Sequence, residues 1–284
     1  FANNAGGTLS AASLSTAAGT TLSNAGTAST TDALANSGSL SNTAGTFTVG
    51  GTLTNSAGGT VALSGGQLAT VDGFANAGTL TQSGGTLTGG VLTNTATVNA
   101  TGGAVNAAVV NNAAFNVGGT VTGNSSFTNN AGGTLAVAAA GAYSGLTTLS
   151  NAGALTTAAG GRLGATTFTQ SGGGTTTNAG RMDIAGVATN GGTGRVTNAV
   201  GGILNANDYV QSSAGATTTN AGTMSLAGVL SNTGIFDNAG GSLTALSAVN
   251  TGILTTSGSL ATTAGLVNRS AAVSYTHLRA HETR

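Results

Sequence analysis

The sequence predicts an all-β fold, a parallel β-solenoid with coils of about 20 residues. Three observations lead to this prediction. Apolar residues alternate with Thr, Ser or Asn over short runs, as in Thr79-Leu80-Thr81, which is the period of a β-strand. The triplet Asn-Ala-Gly recurs along the whole chain. Gly makes up 50 of the 284 residues and recurs between the runs, where it supplies the positive φ of a sharp turn, as Asn can at lower frequency.

The clearest copy of the repeat covers residues 74–94, FANAGTLTQSGGTLTGGVLTN. In Thr79-Leu80-Thr81 and Thr86-Leu87-Thr88, alternation places Leu on one face and Thr on the other. The residues between them, Gln82-Ser83-Gly84-Gly85, supply the positive φ of a sharp corner. Strands this short cannot bury their leucines alone, so copies must stack on one another to build a core.

The spacing of the repeat sets the length of one coil. The clearest consecutive markers form one set in the first half and another later: Asn76, Asn94, Asn111 and Asn129, then Asn178, Asn198 and Asn220. Their spacing drifts from about 18 residues in the first set to about 21 in the second, as is typical of a three-sided β-solenoid. In such a fold the loops lengthen while the strands keep register.

The alternation also predicts which side chains point inward. All seven Phe are expected to fill the core with the inward Leu, Val, Met and Ile residues. The inward set is Leu53, Val61, Leu68, Phe74, Leu80, Leu87, Leu92, Val98, Val105, Phe115, Val121, Phe127, Leu135, Leu149, Leu155, Leu163, Phe168, Met182, Ile184, Met224, Leu226, Phe236, Leu243 and Leu254. The recurrent Asn has two structural interpretations: stacked amide ladders, or corner residues in the left-handed conformation.

Two segments depart from the repeat. Residues 136–143, AVAAAGAY, dilute the alternation and predict either a longer loop or a slack coil. The run Gly191-Gly192-Thr193-Gly194-Arg195 is rich in glycine, but a phosphate-binding loop needs a helix after it, and none is predicted here. We interpret it as a turn.

Composition excludes several classes of protein. The formal net charge is zero and only 4% of residues are charged, so there is no basic patch for nucleic acid. Absence of Cys removes disulfides and thiol-bound metals. No apolar run is long enough for a transmembrane helix, and regular apolar residues argue against a disordered linker.

A search for chemistry yields one candidate group. Arg181, Asp183, Arg195 and Asp208 would converge if coils about 20 residues apart stacked in register. Enzymes on β-helices need clustered carboxylates, whereas Arg181 and Asp183 at i and i+2 share one strand face and predict an exposed ion-pair network that extends across neighbouring coils. We therefore predict a protein that is not an enzyme, with no catalytic, cofactor-binding or metal-binding residues.

The end of the chain breaks the pattern. We expect residues 1–270 to be the repeat region of a longer protein, and residues 271–284 to be a non-native tail. The segment VSYTHLRAHET resembles the translation of a transposase sequencing adaptor. Its His277 and His281, at the i and i+4 spacing of a zinc site, are excluded as ligands for that reason.

The repeated phrase itself resembles a family. Residues 40–47, LSNTAGTF, and residues 74–80, FANAGTL, are similar to the passenger repeats of bacterial autotransporters and of filamentous-haemagglutinin-like proteins of two-partner secretion. Residues 143–148, YSGLTT, resemble a weak autotransporter-associated repeat. The resemblance implies a right-handed β-helix, export to the Gram-negative cell surface or beyond it by an outer-membrane translocator, and a role in adhesion, aggregation or biofilm formation. Implied partners are host-cell or matrix surfaces, glycans and sister passengers.

Two other functions stay open from the sequence. A carbohydrate-active lyase or hydrolase would use the Arg181 and Asp183 group. An ice-binding solenoid would need Thr-x-Thr pairs stacked into one flat face, and the candidate pairs are Thr46/Thr48, Thr52/Thr54, Thr79/Thr81, Thr86/Thr88 and Thr120/Thr122.

Overall fold

The computed structural model describes residues 1–269 and the strand Ser274–Tyr275. In that part of the chain the structure consists of β-strands and short turns, and it holds no helix with the length and apolar character of a membrane span. The chain divides into two units, Phe1–Leu146 and Thr147–Arg284. Apart from the strand Ser274–Tyr275, the predicted tail with His277 and His281 lies outside the described residues.

In the first unit each coil contributes one strand to each of three rows, and the strands of a row pair in parallel with their counterparts one coil away. The first row contains β1 (Ala2–Asn3), β4 (Thr21–Asn24), β7 (Ser39–Asn42), β10 (Thr60–Leu63), β13 (Thr79–Gln82), β16 (Thr97–Ala100), β19 (Ala114–Val117) and β22 (Thr134–Val137). The second row contains β2 (Thr8–Ala11), β5 (Thr27–Thr30), β8 (Thr46–Val49), β11 (Gln67–Thr70), β14 (Thr86–Gly89), β17 (Ala104–Val105) and β20 (Thr120–Gly123), followed by the start of β23 (Ala142–Asn151). The third row contains β3 (Leu14–Thr16), β6 (Leu34–Asn36), β9 (Thr52–Asn55), β12 (Gly73–Asn76), β15 (Leu92–Asn94), β18 (Val109–Asn111) and β21 (Phe127–Asn129).

The second unit also consists of three rows of strands, and three of its strands are long. β25 (Arg162–Gln170), β27 (Arg181–Asn190) and β29 (Ile203–Gln211) each run through the corner between the second and third rows, with register shifts at that corner. The first row contains β24 (Ala154–Thr157), β26 (Thr175–Asn178), β28 (Arg195–Asn198), β30 (Thr217–Asn220), β33 (Ile235–Asn238), β36 (Ile253–Thr256) and β39 (Ser274–Tyr275). After β29 the second row continues with β31 (Thr223–Leu226), β34 (Ser242–Ala245) and β37 (Ser259–Thr262), and the third with β32 (Val229–Asn232), β35 (Ser247–Asn250) and β38 (Leu266–Asn268).

The register between coils gives the coil length directly. The shortest first-row step joins Val98 to Phe115, and the longest joins Val196 to Thr218. The other first-row steps fall between these two, so one coil takes about 20 residues throughout. The predicted parallel β-solenoid and its coil length are therefore confirmed. Right-handedness, which the resemblance implies, stays a prediction.

The core follows from the alternation within each four-residue strand. The second and fourth residues point inward, and every residue of the predicted inward set is buried. Six of the seven Phe fill the core as expected. The prediction is wrong for Phe1, which is 74% exposed because it precedes the first strand and no other coil covers it in the described chain.

The recurrent Asn residues form buried amide ladders in both units, in which each side-chain nitrogen donates to the side-chain oxygen one coil on. In the first unit the ladders are Asn3–Asn24–Asn42 and Asn36–Asn55–Asn76–Asn94–Asn111–Asn129. In the second they are Asn178–Asn198–Asn220–Asn238 and Asn232–Asn250–Asn268. Every described residue with positive φ is a glycine, so the ladder interpretation is confirmed and the left-handed one is wrong.

Both departures from the repeat are turns. Between β22 and β23 the Gly141 amide donates to the Ala138 carbonyl at 2.9 Å, and the chain then buries Tyr143, so the segment is a loop between ordered coils. Between β27 and β28 the Gly194 amide donates to the Gly191 carbonyl at 3.0 Å, and Gly192 has φ 62°. The glycine-rich run is therefore the turn that the sequence predicts.

Candidate functional site

The most chemically distinct surface of the second unit lies on the long strands. Arg162 opens β25 and Arg181 opens β27, and the two are register partners. Two residues further along β27 lies Asp183, whose register partner on β29 is Asn205. We call these four residues, Arg162, Arg181, Asp183 and Asn205, the charged patch. Strand alternation turns all four outward, because the intervening Leu163, Met182 and Leu204 fill the core.

Within the charged patch, Asp183 is the central acceptor. The Arg181 Nε donates to its Oδ2 at 2.6 Å, and the Asn205 Nδ2 donates to its Oδ1 at 2.7 Å. The Arg181 and Asp183 side chains are 42% and 46% exposed. The ion pair of the predicted network is thus confirmed, but it lies within one strand, and its link to the neighbouring coil is the hydrogen bond from the neutral Asn205.

The electrostatics keep Asp183 ionised. Partial burial acts to raise its pKa, but hydrogen bonds from Arg181 and Asn205, together with the positive charges of Arg181 and Arg162, outweigh that and hold the pKa below its ordinary value. The same hydrogen bond raises the pKa of Arg181. An ionised carboxylate with both oxygens engaged is poorly suited to act as a general acid near neutral pH.

The expected convergence with Arg195 and Asp208 is wrong. Arg195 opens β28 in the first row, where it pairs with Thr175 and Thr217. Arg195 follows Arg181 by less than one coil, so it lies in the first row and not in the second row that holds Arg181. Asp208 lies on β29, but its Oδ1 accepts a hydrogen bond from the Val229 amide at 2.7 Å.

Two hollows flank Arg181 on this face. One, of about 330 Å³, is lined by Arg162, Arg181 and the small residues of successive turns, with Val200 and Ile203 at its side. The other, of about 410 Å³, is lined by Arg181, Asp183, Asn205, Asn207 and small apolar residues. Together they give the patch room for a ligand group on either side of one guanidinium.

Arg162 and Asn205 were absent from the sequence-based candidates. Arg162 precedes Arg181 by one coil length, and Asn205 follows Asp183 by one coil length. Searching for polar residues one coil away from Arg181 and Asp183 would have found them. In residues 1–269, no three His, Cys, Asp or Glu side chains are grouped as metal ligands.

The candidate Thr-x-Thr pairs do not form one array. They are divided among all three rows: Thr79/Thr81 lies in the first row, Thr52/Thr54 in the third, and the other three in the second. Within the second row, β11 separates Thr46/Thr48 from Thr86/Thr88 and places Gln67 between Thr46 and Thr86. These pairs therefore do not stack into the one flat hydroxylated face that the ice-binding alternative would need.

Comparison with known proteins adds no family assignment. No family model matches the chain, and neither the search of curated proteins nor that of solved structures gives a match.

Proposed function

We propose that this chain is a structural and adhesive repeat segment of a secreted or surface-displayed bacterial exoprotein. The observation that carries the proposal is the repeated outer surface of the solenoid. In the first row of the first unit, Thr60, Thr79 and Thr97 are register partners on successive coils, so one hydroxyl-bearing side chain recurs at each step. Their positions alternate with buried apolar residues, which makes the column a consequence of the fold.

Such a surface suits weak contacts made many times. A single hydroxyl–ligand contact contributes little affinity, but equivalent contacts on successive coils act together when the target is also repetitive. The stacked core and amide ladders hold those groups at a regular spacing of about 4.8 Å. Targets of this kind are host-cell or matrix surfaces, glycans and other copies of the same protein.

The remaining parts of the proposal come from the resemblance of the repeats. On the strength of that resemblance, we propose that the protein acts at the Gram-negative cell surface or outside the cell and is exported through an outer-membrane translocator. A chain without Cys is compatible with that route, because no disulfide has to be kept open during export. The proposed role is in adhesion, aggregation or biofilm formation.

The direct test is display of the chain on a non-adherent bacterium. We expect aggregation, or attachment to cultured cells or matrix, to rise severalfold above a vector control with matched surface expression. No rise in either assay would contradict the adhesive function. Depolymerisation of a polysaccharide that is lost on Asp183→Asn would replace it with the carbohydrate-active alternative.

A further inference from the structure

Arg162 and Arg181 present two guanidinium groups to one hollow of the second unit. Their Cα atoms are register partners, so the strands that carry them lie about 4.8 Å apart. Arg181 uses Nε for Asp183 and keeps both terminal nitrogens available. Within residues 1–269, the Arg162 guanidinium has no hydrogen-bond or ion-pair partner. Two adjacent guanidinium groups with unused donors are suited to an anionic group that they can share.

The walls of this hollow favour a ring with an apolar face. Ala179 and Gly180 line the hollow with little or no side chain and so leave space for a ligand. Val200, which is 82% exposed, lines the hollow together with Ile203. A volume of about 330 Å³ is at the lower end of small-ligand sites, which suits one sugar residue. The C–H face of such a ring can pack against Val200 while its acid group contacts the arginines.

The second hollow adds groups that recognise hydroxyls. It shares Arg181 with the first and is lined by Asp183, Asn205 and Asn207, which combine carboxylate and amide oxygens with amide donors. We propose that this face binds a carboxylated saccharide, with the acid group on Arg162 and Arg181 and a neighbouring sugar ring over Asp183 and Asn205. The inference names a ligand class for the proposed adhesive function and rests on it for its biological role.

Other polymers fit this face less well. β27 is paired on one side with β25 and on the other with β29, so it offers no free edge to an extended peptide. Among the described residues, neither hollow is lined by an aromatic side chain on which a nucleic-acid base would stack. The planar, two-pronged geometry of guanidinium matches a carboxylate, which makes a uronic acid the expected sugar.

The test measures binding of the purified full chain to a galacturonic acid oligomer by isothermal titration calorimetry. A neutral glucose oligomer of equal length and dextran sulfate serve as comparison ligands. We expect the galacturonic acid oligomer to bind, and Arg162→Gln to weaken its affinity about tenfold or more. The matched control is Arg195→Gln, which removes the same charge from a strand of the first row and should change affinity by less than about twofold.

Three results would overturn the inference: no binding of the galacturonic acid oligomer, equal losses in the Arg162 and Arg195 variants, or equally tight binding of dextran sulfate with the same dependence on Arg162. Circular dichroism and the melting temperature of each variant establish that it is folded. Surface display separates this inference from the proposed function. If the displayed protein adheres equally well with and without Arg162→Gln, and the purified chain does not bind the galacturonic acid oligomer, only the glycan site is contradicted. If the purified chain binds the oligomer but the displayed protein does not adhere, only the adhesive role is contradicted.

Discussion

The side-chain nitrogen of Asn94 donates to the side-chain oxygen of Asn111 at 2.7 Å, one coil further along the first unit. Asn94 is fully buried, and its own oxygen accepts from Asn76 at 2.8 Å. The same nitrogen also donates to the carbonyl of Ala114 at 2.9 Å. One amide therefore links three coils and satisfies a backbone group at a corner.

Asn94→Ala should be strongly destabilising. The substitution leaves the oxygen of Asn111 without its donor and removes one acceptor from Asn76, in a site that water does not reach. Each buried polar group left unsatisfied costs about 1–3 kcal/mol, so we expect the free energy of unfolding to fall by about 3 kcal/mol. Urea denaturation followed by circular dichroism measures the change.

Asn99→Ala is the matched control for that experiment. Asn99 lies on β16 with its side chain outward, and its oxygen accepts from Asn116 at 3.0 Å on the exposed surface. Because solvent can replace this bond, we expect a change below about 0.5 kcal/mol. If the two substitutions lowered the free energy of unfolding equally, burial would not be the reason that the ladder stabilises the protein.

The recurrence of Asn brought the ladder into view as one of two interpretations of the sequence, because stacking gives every copy the same surroundings, and the backbone conformation decided between them. The long strands were not predictable in that way. At the corner between the second and third rows, the first unit carries pairs such as Gly89-Gly90, with φ 103° at Gly89, whereas β25 carries Ala165-Thr166, which can stay extended. Whether the chain turns there depends on a few residues and their neighbours in the next coil, which periodicity does not reveal.

The charged patch was predictable in part. Arg181 and Asp183 could be paired from sequence because two residues on one strand face need only local geometry. Arg195 was wrongly grouped with Arg181 and Asp183 because two residues of different coils meet only when they occupy the same position within their coils. A repeat whose length drifts from coil to coil fixes that position only when the strands are known. The hollows beside Arg181 were not predictable, because their shape depends on the conformations of the turns that line them.

Gly66→Ala should destabilise more than Gly58→Ala. Both glycines have positive φ, 63° and 82°, which costs an L-residue about 1–2 kcal/mol. A Cβ at Gly66 would also fall on the carbonyl oxygen of Gly45 in the preceding coil, whereas a Cβ at Gly58 meets no atom of the described residues within 4 Å. Overcrowding adds about 1–3 kcal/mol at Gly66.

Melting temperatures of the two variants and of Gly58→Asn test this difference. Asn tolerates positive φ better than Ala, so Gly58→Asn should be the mildest of the three. A Gly66→Ala protein as stable as the Gly58→Ala protein would mean that the corner can shift without loss, and that close stacking there is unimportant.

Tyr143→Phe should stabilise the protein, and Tyr209→Phe should destabilise it. The Tyr143 ring packs against Phe115 and Phe127 in the core, and its buried hydroxyl has no hydrogen-bond partner among the residues that the structure describes. The Tyr209 hydroxyl instead lies 2.7 Å from the Thr218 hydroxyl. Removing an unsatisfied buried group gains about 1–2 kcal/mol, whereas losing a hydrogen bond costs about 1 kcal/mol.

The opposite signs make the pair its own control, because both substitutions delete one oxygen from a fully buried ring. Chemical denaturation of both variants at neutral pH gives the two changes. A loss of stability in Tyr143→Phe would show that its hydroxyl makes a favourable interaction, although none of the described residues pairs with it.

Alkaline pH should unfold the protein through the same two tyrosines. Burial raises the pKa of Tyr143 above its ordinary value of 10.0. Burial also raises that of Tyr209, and its hydrogen bond to Thr218 offsets only part of the increase. A raised pKa in the folded state means that stability is fully present below pH 10 and is lost as the pH rises towards the folded-state pKa. The chain has no Lys or Cys, so few other groups titrate in this range.

We expect the free energy of unfolding to fall above pH 10 by about 1.4 kcal/mol per pH unit for each buried tyrosine. Urea denaturation at intervals from pH 8 to pH 11.5 measures the slope. Tyr143→Phe should halve it, and the double variant with Tyr209→Phe should nearly remove it, because the unfolded double variant no longer loses those two protons. A double variant that keeps the wild-type slope would assign the alkaline loss of stability to other groups and contradict the role of these buried phenols.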